Sequence, residues 1–544
     1  ISILRGVSIR IPMMIYGMAV DLSKDITIQD FVNQVDEESW KEFMPKGFTK
    51  GMFSEIAKYY DAEVFIEAGR IIRQRAKSFD SLDFIDRAEK IAELFGTFKN
   101  PDKETVLTPW RVVNLQINKS VGGLNFYDDN YESVTGGATS NLHWVENENT
   151  VAVYHKNTKI IDVNSKTGLY PLHSAISLYY QRIKENDDNY FEADRIYQEI
   201  LANNIYAVAK TPMAKTITER TLAGYRNYKT NVVFIENLTD LLKEDVTKGK
   251  ETIEEVFKNV KFDVVIGNPP YQEETIGDNS SFAPPIYHKF MELSYDLADR
   301  VILITPGRFL FNAGSTPKSW NKKMLEDEHL KVIYFEQDSA NIFPNTDIKG
   351  GVVVTYRNAR EKLGPIEIFT AFDELNSILH KVSVSTKETL DSIISGRGVY
   401  RLAEKALNSY PQIEDIQSKG HKYDVGSGAF KILSNIVFFD GRQSANDVQI
   451  LGLENLNRTY KWIDLDYLNP PKSFYKFKVF IPQAIGSGAF GEVLSTPLVA
   501  PPRVGATETF LSIGGFDTRE EAEACLKYIK TKFARAMLGI LKIT

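Results

Sequence analysis

The sequence predicts a doubly wound α/β sheet over residues 105–378, preceded by a helical N-terminal region (1–104) and followed by an α+β region (379–544). Three observations predict it. Short β-branched apolar runs alternate with helix-patterned stretches across the middle of the chain, the arrangement that builds a mostly parallel sheet with ligands at its carboxyl edge. One of these runs, Phe262-Asp263-Val264-Val265-Ile266-Gly267, ends at a glycine and is followed after Asn268 by Pro269-Pro270, which cannot continue a ladder. On either side the pattern changes: apolar positions recur at three and four spacing before residue 100, and after about 380 short helices give way to strands broken by Gly, Pro and Asn.

Length and composition set the bounds. At 544 residues the chain exceeds what one core accommodates, and roughly two to four domains are expected. The apolar run Ile11 to Val20 is too short to cross a bilayer, and the amino end lacks the order of a signal peptide, so no membrane partner is expected. A single cysteine, Cys525, excludes an internal disulfide framework and a thiolate zinc cluster; a reducing cytoplasm and no metal site are expected. The chain begins with Ile1 rather than methionine, as a fragment of a longer protein would. Net charge is −7, yet residues 381–544 hold 21 Lys and Arg against 17 Asp and Glu, so the basic excess lies towards the carboxyl end.

Taken in order, Glu55 to Ala76 and Leu82 to Phe95 read as helices, and Arg5 to Pro12 reads as an apolar strand leaving a preceding domain. Leu107-Thr108-Pro109-Trp110 is a helix start, with Thr108 as cap and Pro109 in the first turn. Val151 to Tyr154 reads as strand, and Lys159 to Gly168 as strand, turn and helix onset. Asn204 to Ala209 and Asn231 to Leu238 are further strands, the second ending in Glu236 and Asn237. Gln272 to Ala283 is polar and loop-like, Tyr287 to Leu297 is a helix, and Val301 to Pro306, Val332 to Phe335 and Gly351 to Tyr356 complete the strand series. Beyond 380, Arg397, Arg401, Lys431, Arg442, Lys472, Lys476, Lys478 and Arg503 are interleaved with Tyr400, Phe438, Phe439, Tyr475, Phe477 and Phe480. That mixture suits phosphate contacts and base-edge readout, as it also suits charged edge strands. A glycine-rich stretch, Gly486 to Val493, lacks the lysine strand and Asp-Phe-Gly element of a kinase; it reads as a loop lying close to a backbone. Residues 518–540 finish as an amphipathic helix.

The chemistry concentrates at the end of the Phe262 strand. Paired prolines hold the backbone extended, so the Asn268 amide, the Pro269 carbonyl and the Tyr271 ring meet in one cleft with little freedom to lose. The two acceptors suit an exocyclic amine and the ring suits a planar base, whereas the plain alternative is an irregular loop after a core strand. A second Asn-Pro-Pro, at Asn469 to Pro471, sits in mixed polar sequence and reads as a turn.

The Asn268-Pro269-Pro270-Tyr271 tetrad resembles the catalytic motif of amino-methyltransferases that modify adenine at N6. With the recognition region placed last, the chain resembles the TaqI-like class, and specifically the methylase part of large single-chain restriction-modification proteins. The resemblance implies a Rossmann-like methyltransferase sheet at 105–378, a DNA target-recognition domain at 379–544, S-adenosyl-L-methionine as cofactor and double-stranded DNA as partner. Asn268, Pro269, Pro270 and Tyr271 take the catalytic places, with Tyr271 and Phe343, in Ile342-Phe343-Pro344, as base-stacking aromatics; Phe343 read from sequence alone is a core residue. Thr108 and Pro109 correspond to an element touching the methionine end of the cofactor, Asp162, Asn164 and Gly168 to its loop, and Asn237 to the contact with its adenine. Two departures stand out: Val163 and Lys166 replace the usual proline and first glycine, and Ala209 and Lys210 stand where an acid normally meets the ribose. Upstream nuclease or translocase segments of the same longer chain would be the expected neighbours. Alternative readings are an RNA or protein-glutamine N-methyltransferase, or a DNA-recognition module impaired in cofactor binding.

Overall fold

The computed structural model describes residues 2–98, 107–131, 141–185, 190–273, 283–344, 346–385, 388–418, 420–483 and 496–541, in two compact units, Ile1–Phe369 and Thr370–Thr544. The loop expected over Gln272 to Ala283 falls largely outside the described residues, as does the glycine-rich stretch Gly486 to Val493.

A seven-stranded sheet forms the centre of the first unit: β1 (Ile160–Ser165), β2 (Ile205–Ala209), β3 (Asn231–Phe234), β4 (Phe262–Gly267), β5 (Ala298–Pro306), β6 (Leu330–Glu336) and β7 (Val352–Asn358). Its spatial order is β3-β2-β1-β4-β5-β7-β6. β7 runs antiparallel to β5 and β6, while the remaining pairs are parallel. The order reverses between β1 and β4, so the chain leaves their carboxyl ends in opposite directions and opens the crevice in which doubly wound sheets bind ligands.

Period-two alternation assigns the central strands to two cores. Val264 and Ile266 point into one and Val265 into the other, and Ile160 and Ile161 divide in the same way. All five are at most 2% exposed, as strands covered by helices on both faces require.

The first core also takes in the N-terminal helices, through Tyr16, Phe31, Trp40, Phe53, Phe84 and Phe95. Polar contacts reinforce that packing. Arg87, 1% exposed, donates to the carbonyls of Arg220 (2.8 Å), Thr221 (2.8 Å) and Leu222 (3.3 Å) at the end of helix Pro212–Ala223, and pairs with Asp80 at 3.1 Å. A cation is thereby set on the carbonyl end of a helix dipole. Residues 2–98 are thus part of the same body as the sheet.

Three expected elements differ. Arg5 to Pro12 is not a strand: helices Ser2–Ser8 and Ile11–Gly17 occupy that stretch, with Pro12 in the first turn, where its missing N–H costs nothing. Short apolar runs do not distinguish a strand from a buried helical turn. Val151 to Tyr154 is likewise the helical turn Thr150–Val153, with Val153 buried and Val151 out in solvent. The long helix expected from Glu55 breaks into Lys50–Ile56 and Ala62–Ser78, because Asp61 accepts from the amides of Glu63 and Val64 and starts a new helix.

The second unit holds two three-stranded sheets, Asn457–Asp464 with Asp447–Glu454 and Val504–Ala506, and Leu498–Ala500 with Phe477–Pro482 and Phe510–Phe516. Its last helical stretch is two helices, Arg519–Ile529 and Lys532–Leu541. Much of the basic and aromatic mixture expected at a surface is interior or paired. Tyr400, Phe438 and Phe480 belong to the core, and Arg397, Arg401 and Lys476 pair with Glu508, Asp424 and Asp517. Lys478 is fully buried; its ammonium donates to the carbonyls of Phe474, Lys476 and Pro501, and burial depresses it to about 8. Lys431, Lys472, Tyr475 and Arg503 remain exposed. Among the described residues no helix is long and apolar enough to cross a membrane.

Candidate active site

The carboxyl ends of β1 and β4 bring together residues far apart in the chain. Gly267 closes β4 beside Asp162 of β1: a Cβ at position 267 would lie 2.8 Å from Asp162 Oδ1, so the glycine leaves room for that carboxyl in its present place. Asn268, half-buried, comes next. Its Nδ2 donates to Thr108 Oγ1 at 3.1 Å, and its main-chain carbonyl accepts from Asn164 Nδ2 at 3.3 Å. Its Oδ1 is buried and finds no hydrogen-bond partner among the described residues. An acceptor in that state costs stability unless a ligand completes it.

Pro269 is buried, and Pro270 and Tyr271 are half-buried. Burial drives the Tyr271 phenol well above its ordinary value, partly offset by the Asn268 side chain beside it. Phe343 is fully buried and meets Tyr271 edge-on, with centroids 6.4 Å apart and planes at 67°. It thus offers no open face and packs against the edge of the Tyr271 ring.

Asp162 is 3% exposed and accepts from the Asn164 amide at 3.0 Å. Burial outweighs that hydrogen bond and raises its carboxyl to about 7. Gly168 takes φ +76° at the entry to helix Leu169–Glu185, where an added Cβ would meet the Thr218 backbone at 3.0 Å. Pro109 stands as N-cap of helix Trp110–Ser120, so Thr108 lies just outside it and its hydroxyl is spent on Asn268, not on capping. Asn237 is exposed beyond β3, in the left-handed region at φ +56°, and its side chain caps nothing.

Lys166, in the place of a loop glycine, has its ammonium 3.9 Å from Glu42 on the N-terminal helix Glu37–Phe43. The same carboxylate accepts from Thr211 Oγ1 at 2.6 Å, just past β2. Among the described residues no His, Cys, Asp and Glu side chains cluster as metal ligands would.

Two residues of this region escape the sequence reading. Gln116, fully buried in helix Trp110–Ser120, donates from Nε2 to the carbonyls of Gly267 (3.0 Å) and Ile302 (3.1 Å). Its Oε1 accepts from Tyr170 OH at 2.5 Å. The available signal was a glutamine set among Val112, Val113, Leu115 and Ile117, all buried. A primary amide inside such a face must spend its donors on something.

The arrangement presents a hydrogen-bond acceptor pinned from behind, next to a rigid aromatic ring, at the switch point of the sheet. Residues 203–343, which include β2 to β6 and the tetrad, match the family described as Eco57I restriction-modification methylase. An uncharacterized adenine-specific methylase from Mycoplasma pneumoniae is 33% identical over 98 residues, 18% of this chain and 23% of that protein. Similar solved structures include the ATP-dependent Type ISP restriction-modification enzyme LlaBIII bound to DNA (12% identity, TM-score 0.38, 94% of this chain and 40% of that one). Others are a nuclease-deletion mutant of the Type ISP enzyme LlaGI with a DNA substrate mimic (11%, 0.44, 91% and 49%) and the Type IIL enzyme MmeI with DNA (9%, 0.35, 93% and 74%). The chain spans about a quarter of the curated relative and under half of LlaBIII and LlaGI. Over residues 203–343 the chain is thus similar to the Eco57I restriction-modification methylase family.

Proposed function

We propose that this protein transfers a methyl group from S-adenosyl-L-methionine to N6 of an adenine flipped out of double-stranded DNA, as the modification activity of a restriction-modification system. The observation that carries this reading is the Asn268 amide: its nitrogen is engaged by Thr108 while its oxygen is buried and unmatched. Asn268 Oδ1 and the Pro269 carbonyl accept the two N–H groups of the adenine amine, which holds the nitrogen pyramidal and frees its lone pair from the ring. Tyr271 stacks on the flipped base, backed by Phe343.

The residues at the strand ends would hold the cofactor: Asp162 would accept from its ammonium and Asn237 from the amine of its adenine, with Asn164, Gly168, Thr108 and Pro109 at the methionine end. When bound, S-adenosylmethionine supplies an electrophilic methyl on a sulfonium and leaves as the neutral thioether. With the cofactor bound, the N6 lone pair would form the new N–C bond as the S–C bond breaks, and the surplus proton on nitrogen would pass to solvent. Residues 379–544 read the target, with Lys472, Tyr475 and Arg503 on their exposed surface. Nuclease or translocase segments of a longer chain would act beside it.

Incorporation of labelled methyl groups into duplex DNA, followed by nucleoside analysis, tests the reading directly. N6-methyladenine is the expected product; methylated cytosine alone, or label entering only RNA or protein, would overturn it. Tyr271→Ala should weaken base flipping by about 1–3 kcal/mol, seen as lost fluorescence gain from 2-aminopurine at the target. An unaltered signal would remove Tyr271 from the stacking role.

Asp162 confers a pH dependence on cofactor binding. With its carboxyl raised to about 7, it is mainly protonated at pH 6 and mainly ionised at pH 7.5. A cationic ligand selects the ionised form, so affinity for S-adenosylmethionine rises with pH, by roughly eightfold over that interval. Calorimetry at both pH values checks it: Asp162→Asn should flatten the dependence, and a flat wild-type profile would exclude Asp162 from the site.

A further inference from the structure

Behind the tetrad, hydrogen bonds run inwards to a pair of buried side chains, Gln116 and Tyr170. Gln116 Nε2 donates to the carbonyls of Gly267, the last residue of β4, and of Ile302, in the middle of β5, from a helix buried along most of its length. Gln116 itself has one orientation available, because its Oε1 is engaged by the Tyr170 hydroxyl at 2.5 Å. Both side chains are buried, Gln116 at 0% and Tyr170 at 5% exposure. The Gly267 carbonyl belongs to the peptide group whose nitrogen is that of Asn268. A planar peptide turns as one body, so whatever fixes this carbonyl fixes the N–Cα bond of Asn268, and the hydrogen bond from Asn164 Nδ2 to the Asn268 carbonyl restrains the rotation about it, which together direct the side chain.

From this geometry we infer that Gln116 and Tyr170 are a positioning pair for Asn268: they set the plane of the Gly267–Asn268 peptide and so the aim of Asn268 Oδ1. The inference rests on the methyl-transfer reading. The pair also reaches across elements, since Tyr170 stands in the first turn of the helix that follows the β1 loop, whereas Gln116 stands on the helix begun by Thr108 and Pro109. The two segments assigned to the cofactor are thereby joined to the strand end that carries the acceptor. A glutamine suits the task and a glutamate does not, because two carbonyls must be met by one NH₂ group while the other end accepts from a hydroxyl.

The test uses Gln116→Met, which keeps the volume and removes all three bonds, and Tyr170→Phe, which keeps the ring and removes the hydroxyl that orients Gln116 and also lies beside the Thr108 side chain. Single-turnover methyl transfer should fall on the order of 100-fold in Gln116→Met, as misplacement of a reacting group by about an ångström does, and less in Tyr170→Phe. KM for DNA and cofactor should stay within about twofold. The double variant should be no slower than Gln116→Met, because both act through one chain of bonds. Unchanged transfer in a folded Gln116→Met, or a loss shared equally between kcat and both KM values, overturns the inference. Should Gln116→Met fail to fold, Tyr170→Phe decides by the same criteria.

A readout free of turnover separates this inference from the reading it rests on. In protein labelled with ¹⁵N-asparagine, the Asn268 side-chain amide resonance, identified by its loss in Asn268→Ala, should shift in both Gln116→Met and Tyr170→Phe. A wild-type protein that methylates no DNA defeats the reading while the shift still supports the positioning; an unmoved resonance defeats the positioning whatever the activity.

Discussion

Replacing Asn268 by alanine is expected to slow methyl transfer by about 10²- to 10³-fold, the scale found when one preorganised polar group is removed from a reacting centre. Alanine at this position keeps the backbone course set by Gly267 and the two prolines, and deletes only the amide that Thr108 pins at 3.1 Å. The loss should fall on the chemical step, because the acceptor acts on the lone pair of the amine and contributes little to holding DNA. Affinities for DNA and S-adenosylmethionine are accordingly expected to stay within about threefold, as is the fluorescence gain of a flipped 2-aminopurine. Rapid-quench transfer of labelled methyl under single-turnover conditions provides the measurement. A variant that retains more than a tenth of the wild-type rate would show that the tetrad is a turn with no part in the reaction. Thr108→Val is the milder partner of this experiment, since it frees the amide without removing it.

The second large effect concerns stability. Arg87→Ala removes a buried guanidinium that donates to three carbonyls at the end of helix Pro212–Ala223 and pairs with the 6%-exposed carboxylate of Asp80. Breaking such a pair leaves a buried charge and several carbonyls unmet, at a cost of about 3–5 kcal/mol. Asp80 retains Arg226 at 3.5 Å and the Tyr225 amide at 2.9 Å, which places the expected loss at the lower end. Urea unfolding followed by hydrogen exchange in strands β1 to β4 would register it. If those strands kept their protection while only residues 2–98 exchanged faster, the N-terminal helices would be an appendage instead of part of the sheet's own core.

What the amino-acid order determined by itself is local. A β-branched run, a glycine and two prolines dictate a buried strand and a stiff exit, so β4 and the placing of Asn268 and Tyr271 at its end were legible residue by residue. The same holds for the strand and helix succession across the sheet, whose periodicities each belong to a few neighbouring residues. Partners are another matter, because periodicity states which face of an element is buried and never what covers it. Gln116 meets Gly267 across 151 residues and Arg87 meets Thr221 across 134, and no spacing rule links such positions. The strand expected at Arg5 to Pro12 became helix once Met13, Met14, Ile15 and Tyr16 found a surface to bury against, a gain that outweighs short-range preference. Lys478 looked like a phosphate contact and is instead an internal clamp on three carbonyls; Phe343, a base-stacking aromatic by analogy and a core residue by sequence, is buried edge-on to Tyr271. In each case desolvation made the decision: a side chain pays to leave water unless its neighbours complete it, and those neighbours exist only once the chain has closed upon itself.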